Sequence, residues 1–391
     1  SQPRIESRIA EYLADPETGL VREGTFAQMQ SEAYKPGLQL DYIGQPSLGV
    51  GVSQYGGYLA GGAAFYFSDM LGNRNLGITV SANGTIKDIG GSVFYVNRER
   101  RWNWGGNVGR YPYLRAASGY GSDEQGNLVY SQLLQRIFID NAEAEAQYPF
   151  STTRRIETKA GFTRYSYDTE LRNLLLDDFG RPIGEEVIDI DDPIYSPDPL
   201  NLVNVSVGLV ADNSFFAFTS PISGGRSRFS VEQMIGTLNF TNVTLDWRRY
   251  FNPVNPVTFA IRGLHYGRYG SGVYVNTPEG KVDDNRLFPI FLGTETLMRG
   301  YSWESFNGTA ECTQISEPGS VAPCQELERL YWLRIATVNL EVRLPLIGTD
   351  KYGLIALPYI PVELLFFQDI GFAWDDTIGR SDFKWEFNTT D

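Results

Sequence analysis

Histidine and charged residues are scarce in this chain. His265 is the only histidine among 391 residues, so histidine-based zinc sites and Ser-His-Asp catalysis have almost no residues to draw on. Charged residues make up 20% of the chain and the net charge is −14. This balance disfavours a nucleic-acid partner, because a phosphate backbone is bound by clustered Lys and Arg. Together these absences predict a protein that is not an enzyme and that uses no cofactor or metal.

The sequence also lacks a long hydrophobic run. Spanning a bilayer as a helix requires about 20 consecutive apolar residues. The best candidate, residues 352–367, is interrupted by two prolines and by Glu363. A helical membrane span is therefore excluded from the predicted fold.

Aromatic residues and glycine are abundant instead. Phe, Trp and Tyr make up 14% of the chain, and 41 residues are glycine. From about Leu38 onward, apolar and small or polar residues alternate, as in 75–84, which is typical of strands with one apolar face. A soluble β-sandwich would alternate in the same way. Segments 102–114, 129–139 and 156–167 reach the ~9–11 residues that a strand needs to cross a bilayer, which favours an outer-membrane barrel.

The alternation predicts an all-β, antiparallel transmembrane β-barrel over residues 37–391. Residues 1–36 are predicted to be a periplasmic linker with a short helix, because Ile5, Ile9 and Leu13 share one helical stripe. Short turns alternate with two long loops, 169–198 and 269–328, which are predicted to be extracellular. The thirteen predicted strands are 38–54, 57–68, 75–84, 88–97, 101–115, 127–139, 154–168, 199–212, 227–237, 240–252, 256–268, 329–345 and 362–376.

Both long loops carry a feature that could bind or crosslink. Cys312 and Cys324, the only cysteines, lie close together in loop 269–328 and predict a disulfide formed in an oxidising compartment, with two free thiols as the alternative. Loop 169–198 is rich in Asp and Glu. Its oxygens could bind Ca²⁺, but the spacing is not that of an EF-hand, and a solvated charged loop is the simpler interpretation.

Three motifs in the second half of the chain resemble the bacterial surface antigen superfamily of outer-membrane assembly factors and translocators. The motifs occur in the order and spacing of that family and are Met298-Arg299-Gly300-Tyr301, Asn339-Leu340-Glu341-Val342-Arg343-Leu344-Pro345 and Phe367-Gln368-Asp369-Ile370-Gly371. Met298 stands where the family has a branched aliphatic residue. The resemblance implies a sixteen-stranded barrel in the outer membrane of a Gram-negative-type bacterium, with polypeptide insertion or passage through a partly plugged lumen.

Strand alternation places the charged residues of these motifs on one side of the sheet. Glu341 and Asp369 are predicted to face the lumen from adjacent strands, and Arg299 can reach both if its loop folds back into the barrel. We therefore predict an Arg299–Asp369 ion pair with Glu341 as second partner, holding the loop inside the lumen. In the alternative interpretation, the two carboxylates are solvated and Arg299 lies on an exposed loop.

The first half of the chain favours a second functional interpretation. Its segments 67–73, 95–98 and 101–104 resemble barrels that follow a periplasmic β-propeller. The protein could then be a non-transporting anchor for that propeller or for a surface complex. The expected partners are outer-membrane lipid or lipopolysaccharide and a periplasmic N-terminal domain or partner protein. A sixteen-stranded barrel would also need three more C-terminal strands, supplied by another chain or by a segment outside this sequence. A soluble secreted β-sandwich remains the third alternative.

Overall fold

The computed structural model describes residues 34–375, except 54–55, 84–85, 123–127, 178–179, 194, 279, 285, 288–289, 302–329, 350–351 and 358. The chain divides into two compact units, Ser1–Gly37 and Leu38–Asp391. The predicted N-terminal helix, Cys312 and Cys324 lie outside the described residues. Within the described ranges, no helix is long and apolar enough to cross a membrane.

Strands account for most of the second unit. The first ten are β1 (Gln39–Ile43), β2 (Ser47–Ser53), β3 (Gly56–Ser68), β4 (Arg74–Asn83), β5 (Ile89–Asn97), β6 (Asn103–Ser122), β7 (Leu128–Ser151), β8 (Arg154–Leu176), β9 (Pro182–Asp189) and β10 (Leu200–Asp212). The others are β11 (Phe215–Phe216), β12 (Pro221–Gly236), β13 (Phe240–Val254), β14 (Val257–Tyr269), β15 (Tyr274–Thr277), β16 (Gly280–Asp283), β17 (Ile290–Phe291), β18 (Tyr331–Trp332), β19 (Arg334–Gly348), β20 (Ile355–Ala356) and β21 (Val362–Trp374). Two short 3₁₀-helices span Ile86–Asp88 and Ser271–Val273.

The long strands form one antiparallel sheet in chain order. β1 and β2 both pair with β3. The sheet then continues through β4, β5, β6, β7, β8, β10, β12, β13, β14, β19 and β21. Each of the thirteen predicted segments lies in this sheet, so the all-β antiparallel fold class is confirmed. Among the described residues, no pairing joins β1 or β2 to β21.

The segment 169–198 differs from the predicted long loop. β8 continues to Leu176, and β9 folds back along it with Leu171 opposite Ile188. The acidic residues indicated a loop, but charged side chains of opposite sign face one another across this hairpin: Arg172 Nε lies 3.2 Å from Glu185 Oε1, and Arg181 Nη2 lies 2.7 Å from Asp177 Oδ2. Paired charges are compatible with a strand that is solvated on both faces.

The two faces of the sheet have opposite character. On β10, Val205 is 51% exposed, whereas Leu202 and Asn204, which point to the other face, are 1% and 4% exposed. We call the face with Val203, Val205, Val207 and Leu209 the apolar face, and the face with Asn204 the polar face. Exposed aliphatic side chains on one face and buried amides on the other reverse the pattern of a soluble sheet.

The long connection after β14 lies over the polar face. Apolar residues of the connection pack with residues of β10, β12 and β13 in one cluster: Leu200, Leu202, Met234, Leu238, Phe240, Val273, Leu287 and Leu333. A second cluster contains Leu292, Leu330 and Ile335, with Leu297, Met298 and Tyr301 packed against it. The apolar clusters of this connection therefore lie on the polar side of the sheet and leave the apolar face uncovered.

Candidate functional site

Strand β21 presents the Phe-x-Asp-x-Gly motif to the polar face. Phe367, Asp369 and Gly371 occupy alternate positions, so the Phe367 and Asp369 side chains and the Cα hydrogen of Gly371 share one face. Asp369 lies opposite Asn339 of β19, and Phe367 lies opposite Glu341. Because these cross-strand partners share one face, the register gathers an amide and two carboxylates under the connection that carries Arg299.

Arg299 binds both carboxylates. Its Nε donates to Asp369 Oδ2 at 2.7 Å and its Nη2 to Asp369 Oδ1 at 2.6 Å, which is a bidentate pair. The backbone N–H of Arg299 also donates to Asp369 Oδ2, at 3.0 Å. Its Nη1 donates to Glu341 Oε1 at 2.8 Å. The structure thus brings together the three residues that the sequence placed on one patch, and their contact ties the connection to β19 and β21.

Neighbouring groups complete this constellation, which we call the Arg299 cluster and define as Arg299, Asn339, Glu341, Arg343 and Asp369. Asn339 Nδ2 donates to Asp369 Oδ1 and to the backbone carbonyl of Leu297, both at 2.8 Å. Arg343 Nε donates to Glu341 Oε2 at 2.8 Å. Each carboxylate therefore has two charged or amide partners, as polar groups removed from water require.

Phe367 and Gly300, two motif residues beside Arg299, each have a structural role. The guanidinium carbon of Arg299 lies 3.8 Å from the centre of the Phe367 ring, a cation–π stack. Gly300 has φ +87°, a left-handed conformation that other residues rarely adopt. The hydrogen bonds to Asp369 raise the pKa of the Arg299 guanidinium above its ordinary value although burial opposes this. Its charge is therefore permanent.

Gly371 allows the connection to approach β21. A Cβ at this position would lie 2.7 Å from Met298 Sδ and 2.8 Å from Leu292 Cδ2. We expect Gly371→Val to weaken the packing by about 1–3 kcal/mol, because added methyl groups force neighbouring side chains out of their rotamers. Gly263→Val is the matched control, since a Cβ there meets nothing within 4 Å. Urea unfolding of both variants checks this, and equal midpoints would contradict it.

A second polar contact holds the same connection and was not predicted from the sequence. Arg262 of β14 donates through Nη1 to the backbone carbonyl of Thr296. Asp246 of β13 pairs with two arginines. Its Oδ2 lies 3.0 Å from Arg262 Nη2 and 2.6 Å from Arg248 Nη2. Alternation predicts that these side chains share a face, but their contact with Thr296 depends on the path of the connection.

Asp284 and Arg286 form a further ion pair within the connection. Arg286 Nη2 lies 2.7 Å from Asp284 Oδ2. Burial alone would raise the pKa of Asp284, but the hydrogen bonds and charge of Arg286 hold it below its ordinary value. Within the described part of the chain, no three His, Cys, Asp or Glu side chains are grouped to hold a metal ion. The polar groups of the connection thus serve its attachment to the sheet.

Comparison with known proteins identifies a similar fold. No protein-family model matches the sequence, and no curated protein matches it. Among solved structures, the fold is similar to the crystal structure of BamA from Haemophilus ducreyi lacking POTRA domains 1–3, with a TM-score of 0.47 and 15% sequence identity over 82% of this chain. The chain spans 55% of that structure's length.

Proposed function

We propose that the protein is a non-enzymatic outer-membrane β-barrel, similar to protein assembly and translocation factors, whose lumen is plugged by the inward-folded loop carrying Arg299, Gly300 and Tyr301. The observation that carries the proposal is the reversed character of the sheet: aliphatic side chains are exposed on one face, while charged groups and the connection share the other. This arrangement suits a lipid environment outside and a wet interior.

The height of the apolar face supports a membrane span. Arg110, Asp140, Arg164 and Asn201 lie side by side across β6, β7, β8 and β10 on that face. Arg154 lies on the same face of β8, ten positions from Arg164, with Ile156, Thr158, Ala160 and Phe162 between. Ten residues cover about 33 Å along a strand, and a tilt of roughly 40° reduces this to ~25 Å, the height of the apolar band of such barrels.

The burial of the ion pair that attaches the connection to the sheet supports the plug. The Asp369 side chain is 4% exposed and Arg299 is 20% exposed, so their pair is screened from solvent. A segment held by a bidentate ion pair, by Asn339 and by Arg262 occupies space above β14, β19 and β21 that an open lumen would leave free.

The same depth favours a second candidate function, a barrel that anchors a periplasmic propeller or a surface complex without transport. A plug held by four separate hydrogen bonds from Arg299 resists the displacement that passage of a polypeptide would require. In this alternative the barrel contributes only attachment to the membrane.

A pair of arginine substitutions on β10 tests the membrane span. Val205→Arg places a charge on the apolar face, where an arginine near the bilayer centre costs about 2–4 kcal/mol. Ser206→Arg, on the polar face of the same strand, is the control. We expect Val205→Arg to lower the fraction of protein recovered folded in the outer membrane and to lower the urea midpoint in phospholipid vesicles, with Ser206→Arg close to wild type. Equal loss in both variants, or recovery of the wild type in the soluble fraction, would overturn the proposal.

A further inference from the structure

A groove of about 400 Å³ opens on the sheet where β8, β10, β12 and β13 meet their short connections. We call it the Arg154–Arg249 groove. Its residues on the apolar face are Arg154, Ala211, Gly225, Ser227, Trp247 and Arg249. The connections at this edge include Thr152–Thr153 between β7 and β8 and Asn255–Pro256 between β13 and β14, whereas the long connection from β14 to β19 leaves the opposite edge.

The register explains why a groove forms there. Arg154, Ala211, Ser227 and Trp247 lie side by side on four neighbouring strands, and Gly225 lies beside Arg249 one step nearer the edge. Small side chains on the two central strands make a floor between large side chains on the outer two. A Cβ on Gly225 would lie 2.9 Å from Arg249 Cδ, so the arginine stem rests on this floor.

The two arginines of the groove lack the partners that neighbouring arginines have. Among the described residues, neither the Arg154 nor the Arg249 side chain has a hydrogen bond, ion pair or ring contact, and both residues are exposed. Arginines near the same edge that point to the polar face are paired instead: Arg248 lies 2.6 Å from Asp246, and Arg228 lies 2.9 Å from Glu157. Two permanent cations therefore face outward without a protein counter-charge.

We propose that the Arg154–Arg249 groove binds the phosphate of an anionic phospholipid. This inference rests on the proposed membrane span, because it places the groove at the end of the apolar band, at headgroup level. A guanidinium donates two parallel hydrogen bonds to phosphate oxygens. Trp247 has the amphipathic ring that is enriched at the membrane–water interface. An acyl chain would then follow the exposed apolar side chains of Leu209 and Phe229.

Native mass spectrometry of protein released from lipid nanodiscs tests this proposal. The nanodiscs contain phosphatidylcholine with or without phosphatidylglycerol. The test variant is Arg154→Gln/Arg249→Gln, which removes two exposed and unpaired cations. The control, Arg100→Gln/Arg181→Gln, removes the same charge from exposed arginines of the β5–β6 connection and of the β8–β9 hairpin, neither of which lines the groove. An arm with inorganic phosphate in excess distinguishes a lipid headgroup from a free ion.

We expect the wild type and the control variant to retain phosphatidylglycerol and the test variant to retain at least about tenfold less, without effect of inorganic phosphate. Equal retention in all three proteins would show that any interfacial arginine suffices and would overturn the groove as a site. Displacement of the lipid by phosphate would overturn the lipid as ligand. If the wild type inserts but binds no phosphatidylglycerol, only this inference fails. If it does not insert, the proposed function fails with it.

Discussion

Arg299→Ala should release the connection from the sheet and destabilise the protein by about 3–5 kcal/mol. The substitution removes the partner of Asp369, whose side chain is 4% exposed, and one partner of Glu341. A carboxylate left buried without its counter-charge cannot recover its hydration, so the loss exceeds that of an ordinary surface pair. Arg299→Lys should give an intermediate loss, because a lysine keeps the charge but not the bidentate geometry.

Protease cleavage and urea unfolding measure this effect. We expect the variant protein in intact membranes to be cleaved faster within 269–328 and its urea midpoint to fall. Arg74→Ala is the control: the Arg74–Glu99 pair is also 2.6 Å long, but its side chains are 29% and 48% exposed. Such an exposed pair contributes little to stability. Cleavage and midpoints that are the same in Arg299→Ala and wild type would contradict the plug. A large ion conductance that appears only in Arg299→Ala would support translocation over anchoring.

Arg136→Met should destabilise the far end of the sheet by a similar amount, about 3–5 kcal/mol. Arg136 is 2% exposed, and its Nε donates to Asp88 Oδ1 at 3.0 Å while its Nη2 donates to Glu170 Oε1 at 3.1 Å. Asp88 and Glu170 are each 4% exposed. Without Arg136, the buried carboxylates of Asp88 and Glu170 lose the counter-charge they share between the β4–β5 connection and β8, while Glu170 keeps Lys87 at 3.5 Å and Arg172 at 3.3 Å.

Hydrogen exchange and thermal unfolding check this expectation. Amides of β5 near Ile89 and of β8 near Glu170 should exchange faster in the variant, because Arg136 joins these elements. Arg181→Met in the β8–β9 hairpin is the matched control, since Arg181 pairs with Asp177 at 2.7 Å but is 71% exposed. The idea fails if Arg136→Met and Arg181→Met unfold at the same temperature.

Strand positions could be predicted because the apolar face repeats every second residue. Val203, Val205 and Val207 give β10 a pattern that fits only one register of inward and outward side chains. The same parity assigned Glu341 and Asp369 to one face, whereas their contact with Arg299 was predicted only on the condition that its loop folds back into the barrel. The alternation of apolar and polar residues was therefore enough to predict the strands around the Arg299 cluster.

The extension of β7 and β8 was harder to predict. These strands are 24 and 23 residues long, and the parts beyond the predicted segments carry charged residues such as Glu143, Glu145, Glu170 and Arg172. A run of charge resembles a solvated loop until the pairing of opposite signs across strands is known. The contact of Arg262 with Thr296 was inaccessible for another reason, because it depends on the path of a connection that has no periodicity.

The ends of the segment 302–329 are held at one place. Tyr301 and Leu330 both belong to the cluster around Leu292, and Leu292 N–H donates to the Leu330 carbonyl at 2.8 Å. The sheet therefore does not fix the number of residues between Tyr301 and Leu330, because the entropy cost of closing a loop grows only logarithmically with its length. The contacts of Tyr301 and Leu330 therefore do not depend on the length of the segment that joins them.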